Sequence, residues 1–357
     1  MDARLPVSVL TGFLGSGKTT LLGKLLRHPA AGRVALVINE FGEIGLDHDL
    51  IATSDETVVQ LESGCLCCAL QSDLVRTLRD LHIRRVKGEI PEFERVVIET
   101  TGLADPAPIL QTLMADPLVV PHFRLDGVIT LVDATVGGTV LERRPEAQKQ
   151  IALADRLLIT KVDLAAPGQA AALCARLRAL NPAAPVLEVI DGEIEPEALL
   201  EIGLYDPATR RADVERWLGG TGEAQDGHQH GHRHDESIRT FSIRRSEPLP
   251  GTVASFFFTL LQSHCGPDLL RVKGILHIAE APERPMVIQG VQHVFHPPVQ
   301  LDAWPSADRD SRIVFIVRDL EAADIERLLD ALDSLDDFQR IADVLPRSRR
   351  DSGTEVL

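Results

Sequence analysis

Cysteine is scarce in this chain, and its distribution narrows the possibilities. Only five occur in 357 residues, and three of them sit in "ESGCLCC" at 62–68. An odd, bunched set excludes a disulfide framework. Long apolar runs are missing as well; none approaches the ~20 residues that cross a bilayer. The N-terminus, "MDARLPVSVLTGFLGSG", lacks a basic segment followed by a long apolar core. No signal peptide is therefore expected, and the expected location is the cytoplasm. Positive charge is in deficit: 37 Lys and Arg against 53 Asp and Glu leave a net charge of −16. That argues against nucleic acid or a membrane surface as the main partner. What remains is an ordinary soluble composition, 44% hydrophobic and 25% charged, in a chain long enough for two domains.

Short β-branched runs alternate with helical stretches through the first part. The runs are "PVSVL" (6–10), "RVALVIN" (33–39), "ERVVIET" (94–100), "GVITLVDA" (127–134), "DRLLITK" (155–161) and "APVLEVI" (184–190). Near-continuous apolar runs fit strands buried on both faces of a parallel sheet. In "TTLLGKLLR" (19–27), Leu21, Leu22, Leu25 and Leu26 share one helix face. The fold class expected is α/β, with a mostly parallel, doubly wound sheet over 1–215. Residues 216–237 carry "GGTGEAQDGHQHGHRHDES", which reads as a flexible His-rich linker. Residues 238–346 return to strands and two helices and read as a smaller α+β domain, with a charged tail over 347–357.

"GFLGSGKTT" spans Gly12 to Thr20 and matches G-x-x-x-x-G-K-[ST] at Gly12, Gly17, Lys18 and Thr19. A strand precedes it and a helix follows. Gly12, Gly15 and Gly17 let the backbone wrap around phosphates, with Ser16 and Thr20 in the same loop. Lys18 can neutralise β and γ phosphates, and Thr19 can offer its hydroxyl to Mg²⁺. The competing reading is a ligand-free glycine turn, which the flanking strand and helix disfavour. A dinucleotide fold fails on spacing. In "VVIETTG", Glu99 is the second carboxylate such a site needs, and Gly102 can present its amide to a γ-phosphate. "TKVD" ends a later strand. Asp163 can accept two hydrogen bonds from guanine, which adenine cannot supply, and the Lys161 stem can lie over the ring. Thr160 stands where GTPases usually carry Asn.

Cys65, Cys67 and Cys68 suit a soft or borderline metal such as Zn²⁺ or Co²⁺. Gly64 permits a tight turn that brings them together. Two alternatives stand: a Cys65–Cys68 redox pair and buried cysteines that merely pack. Four alternating histidines, His228, His230, His232 and His234, read either as a mobile ion collector or as a solvated linker.

Taken in order, "GFLGSGKTT", "NEFGEIGLD" (39–47), "ESGCLCC", "ETTGLADP" (99–106) and "TKVD" resemble the CobW family of metallochaperone GTPases, relatives of the nickel-inserting GTPases of urease and hydrogenase. The resemblance covers residues 5 to 345, including the His-rich linker and the C-terminal domain. It implies GTP hydrolysis, slow and regulated, coupled to carrying zinc or cobalt to a client metalloprotein. It also implies Cys65, Cys67 and Cys68 as ligands, Glu40 as a nearby ligand, and Asp47 in a first switch near Mg²⁺ or the attacking water. A monomer or homodimer is expected. Three rival functions are a metal sensor or store with structural nucleotide, a P-loop small-molecule kinase, and a thiol redox regulator.

Overall fold

A computed structural model of the chain describes residues 4–39, 57–60, 67–200, 202 and 238–333, with the backbone alone at 39, 57–60, 67–71 and 333. The chain divides into two compact units, Met1–Leu204 and Tyr205–Leu357.

The first unit is a seven-stranded sheet in the order β3-β2-β4-β1-β5-β6-β7. Its strands are β1 (Leu5–Gly12), β2 (Val34–Asn39), β3 (Thr57–Gln60), β4 (Arg95–Thr100), β5 (Phe123–Asp133), β6 (Arg156–Thr160) and β7 (Val186–Val189). Every pairing is parallel. The apolar runs make this the stable arrangement. Val7, Val9, Val96, Ile98, Val128 and Ile159 are all buried, because helices cover both faces of such a sheet. The edge strand β3 is not among the sequence-predicted strands. "TVVQ" is only four residues long, too short to stand out as a run.

The helices are α1 (Lys18–Arg27), α2 (Cys67–Val86), α3 (Ala107–Ala115), α4 (Gly137–Arg143), α5 (Pro145–Leu153), α6 (Gln169–Leu180) and the single turn α7 (Pro196–Leu199). In α1, Leu21, Leu22 and Leu25 are buried and Leu26 packs at the cluster's margin. Asn181, just past α6, donates from Nδ2 to the Ile151 and Ala154 carbonyls at 2.8 and 2.9 Å. It thereby gives the carbonyls at the end of α5 a side-chain donor.

The second unit is an antiparallel sheet, β11-β10-β9-β13-β8, with β12 against β10. The strands are β8 (Ile238–Arg245), β9 (Leu269–Leu276), β10 (Met286–Val291), β11 (Val294–Phe295), β12 (Val299–Gln300) and β13 (Ser311–Arg318); the helices are α8 (Gly251–Cys265) and α9 (Ala322–Asp333). The apolar run 285–296 forms a hairpin that turns at Gln292, which has φ 54°. Phe257 and Leu261 of α8 and Leu328 of α9 pack with Val272 and Phe315 on one sheet face. Cys265 belongs to this core, and burial pushes its thiol up to about 12. It packs as an apolar residue. Among the described residues, no helix is long and apolar enough to cross a membrane.

On α2, the His82 ring stacks on His122 with centroids 4.0 Å apart. Burial first, then the charges of His122 and Arg85, lower the His82 pKa. The folded state thus binds this proton less readily than the unfolded chain does. Stability from this site is complete above the ordinary histidine value of about 6.5 and declines as pH falls below it. The urea unfolding midpoint of the full chain is expected to drop between about pH 7.5 and about pH 5.5, and to drop less in His82→Gln. An equal drop in both would remove His82 as the cause.

Candidate functional site

The loop after β1 is built on glycine. Gly12, Gly15 and Gly17 have φ of 138°, 75° and 94°, a region that side chains rarely tolerate. At Gly12 even the space is closed, since an added Cβ would lie 2.4 Å from the Leu131 oxygen. The Ser16 N–H donates to the Phe13 carbonyl at 3.1 Å. Ser16 is 1% exposed, and its Oγ has no hydrogen-bond partner among the described residues. Lys18 is buried at the start of α1, and its Nζ donates to the Gly12 carbonyl at 2.8 Å. Thr19 follows it, half-buried, and Thr20 is exposed.

β4 lies beside β1, so its end is close to this loop. Leu10, Glu99, Ile38 and Gln60 stand opposite one another across β1, β4, β2 and β3. Glu99 is 9% exposed. Next to it, the Thr100 hydroxyl donates to Thr11 Oγ1 at 2.8 Å and ties the two strand ends together. Gly102 is pressed onto the glycine loop: an added Cβ would lie 2.4 Å from the Leu14 nitrogen.

On the other side, β6 delivers "TKVD" to the same loop. The buried Thr160 hydroxyl donates to the Ser16 carbonyl at 2.8 Å. Lys161 has φ 56°, and its Nζ donates to the Gly15 carbonyl at 2.7 Å. The same ammonium pairs with Asp133 Oδ2 at 2.7 Å. Asp133 also accepts hydrogen bonds from the Thr135 N–H and hydroxyl. Burial pushes the Asp133 carboxyl up, but the Lys161 and Thr135 hydrogen bonds and the Lys161 charge outweigh it, and the net shift is downward. Asp163 is exposed in the turn that follows. Asp133 is a site residue that sequence reading missed; its signal, an acid closing a buried strand, names no partner.

Gly12, Gly15, Ser16, Gly17, Lys18, Thr19, Glu99, Gly102 and Lys161 thus lie at or just beyond the ends of β1, β4 and β6 and at the start of α1, at one edge of one sheet. Cys67 and Cys68 open α2, where a turn is expected from the sequence; their side chains, and all of Cys65, Glu40, Asp47, His228, His230, His232 and His234, lie outside the described residues.

A glycine loop between β1 and α1, on an all-parallel sheet with helices, defines a P-loop nucleotide-binding domain, carried here with a separate α+β unit. The family described as the CobW/HypB/UreG nucleotide-binding domain matches residues 6–188, and the cobalamin synthesis protein cobW C-terminal domain matches residues 238–333. The chain is 34% identical to the zinc chaperone YjiA of Escherichia coli, over 82% of this chain and 87% of that one. It is 31% identical to the zinc chaperone CobW of Pseudomonas aeruginosa, over 92% of this chain and 91% of that one. A solved structure of the Zn(II)-bound YjiA GTPase from E. coli matches with a TM-score of 0.67 at 31% identity, covering 92% of this chain and 98% of that one. The chain belongs to the CobW/HypB/UreG family.

The closeness of Gly102 to Leu14 gives a direct test. Gly102→Ala places a methyl group against backbone that cannot rotate away. A loss of about 3 kcal/mol is expected in urea unfolding. Unchanged stability would show that the loop has free space at this point.

Proposed function

We propose that the chain is a GTP-hydrolysing metallochaperone, which loads a transition metal, zinc in the first place and cobalt as an alternative, and hands it to a client protein in the cytoplasm. One observation carries this reading. Parallel strands bring the P-loop, the Glu99 loop and the "TKVD" turn to the same sheet edge, and the thiol motif follows the parallel strand β3 in the chain. β3 ends just before the thiol motif, and it is separated from β4 by β2 alone. At about 4.8 Å per strand, the ends of β3 and β4 are about 10 Å apart. The names of the relatives favour zinc.

In this reading Gly12, Gly15, Ser16, Gly17, Lys18 and Thr20 hold the phosphates. The donor set suits them: three glycines in the left-handed region and a buried serine hydroxyl with no partner among the described residues. Thr19 and Glu99 are oxygen donors, which suits a hard cation such as Mg²⁺. When bound, Mg²⁺ neutralises phosphate charge. Lys161 is held over Gly15 and lays its stem against the base, while Asp163 accepts hydrogen bonds from guanine. Gly102 reads the γ-phosphate, with Asp47 in the first switch. Cys65, Cys67 and Cys68, with Glu40, take the metal; Cys67 and Cys68 at a helix N-terminus are in a position that favours thiolates. His228, His230, His232 and His234 collect ions for delivery. GTP orders the segments on either side of the thiols, and hydrolysis releases them.

Coupling of this kind is reciprocal. Anaerobic competition titrations are expected to show zinc bound about tenfold tighter with a non-hydrolysable GTP analogue than with GDP. Cys67→Ser and Cys68→Ser should lose zinc and keep nucleotide. Equal zinc affinities in the two nucleotide states would sink the carrier mechanism. Base recognition is tested separately: Asp163→Asn should lose guanine nucleotide affinity by about 10²-fold, since it removes a charged acceptor of two hydrogen bonds. Unchanged affinity would place guanine recognition elsewhere.

A further inference from the structure

Gln150 is a polar residue in the wrong place for ordinary packing. It lies on α5 and is 1% exposed, where glutamine is rarely found. Its carboxamide has two N–H donors. Nε2 donates to the Gly102 carbonyl at 3.3 Å and to the Ala104 carbonyl at 3.0 Å. That orients the group, because only the nitrogen end can face two carbonyls. Its Oε1 is buried and has no partner among the described residues, so the whole hydrogen-bonding effort of this side chain goes into one loop. The helix behind it is anchored, since the Gln150 carbonyl accepts from the Thr130 hydroxyl of β5 at 3.0 Å.

The neighbouring residue holds the same loop. Lys149 Nζ pairs with Asp105 Oδ2 at 2.6 Å, and Asp105 Oδ1 accepts from the Ala107 N–H at 3.0 Å at the start of α3. Ala104 and Asp105 are thus fixed from α5. Gly102 lies between the Leu14 backbone and Gln150, and Leu103 between them is 51% exposed. The peptides are trans, so the Leu103 N–H points away from the Gly102 carbonyl that Gln150 holds. The clasp therefore sets the direction in which the loop presents its amides.

We propose that Gln150, assisted by Lys149, is the positioning residue of the nucleotide-sensing loop: it presets Gly102 against the P-loop, while Ala104 and Asp105 form the fixed side of a hinge at Leu103. This rests on the reading of Gly102 as the γ-phosphate sensor. The longer bond to Gly102 is the one that yields when the loop moves, and the Ala104 bond and the Lys149–Asp105 pair stay.

The test uses Gln150→Met in the full chain, which keeps the length and volume and removes both donors. Affinities for GDP and a non-hydrolysable GTP analogue, kcat and KM for GTP, and the melting temperature are measured. GDP affinity should change by less than about twofold, whereas affinity for the analogue and kcat should each fall about tenfold. Lys149→Met should shift the same quantities the same way by about threefold, and it serves if Gln150→Met does not fold. A lower melting temperature with an unchanged GTP:GDP affinity ratio and kcat would make Gln150 purely structural and overturn the proposal. A wild-type protein that binds GTP and GDP alike would remove the sensor reading itself, and the clasp with it.

Discussion

Parallel strand pairing is the constraint on which everything else in the nucleotide-binding unit depends. Because β1, β2, β3, β4 and β6 all run the same way, the segments that follow them emerge at one edge. The loop between β1 and α1 is short. Several short ones converge because the sheet aligns their starting points, to within a residue or two of the line through Leu10, Glu99, Ile38 and Gln60. The apolar cores above and below the sheet hold that alignment. A slip of one residue would reverse every inward side chain.

Within that frame the loops are tied to one another by few but buried contacts. Thr160 and Lys161 both donate to carbonyls of the glycine loop, so the turn after β6 and that loop are tied together. The Lys161 ammonium is also paired with Asp133. Asp133 is the buried partner and Lys161 the part-exposed one, so removing Lys161 would leave the buried carboxylate without the cation it pairs with. On the opposite side, Thr100 meets Thr11, and Gly102 meets Leu14 with no room for a methyl group. The P-loop is therefore gripped from both flanks, by β6 on one and by the segment after β4 on the other. Gripping from α5 adds a third point and leaves Leu103 as the element with least to hold it. Thr160 reaches one backbone carbonyl, that of Ser16, and so links the two loops.

Much of this was legible in the chain itself. The glycine loop could be read because φ values of 138°, 75° and 94° impose glycine at fixed spacing, and spacing is a local property. The long strands could be read because burial on both faces demands unbroken apolar runs. α8 and α9 followed from their helical period. The short strand β3 could not, since four residues carry too little pattern and gain their place only by pairing with β2. The hairpin at Gln292 was hidden for a related reason: two antiparallel strands with similar residues look like one run until the turn is seen.

The local pattern, then, was determined by the amino-acid sequence itself: where the glycine loop lies, which residues carry groups that can meet an anion or guanine, which thiols are neighbours in the chain, and that two units are present. Only the tertiary structure decided the partnerships. That Asp133 holds Lys161, that Gln150 holds Gly102 and Ala104, and that β2 alone separates β3 from β4 all depend on strand order, and strand order is set by long-range burial rather than by any property of neighbours in the chain. Residues far apart in sequence become adjacent only when the sheet closes, so their meaning does not exist before it forms.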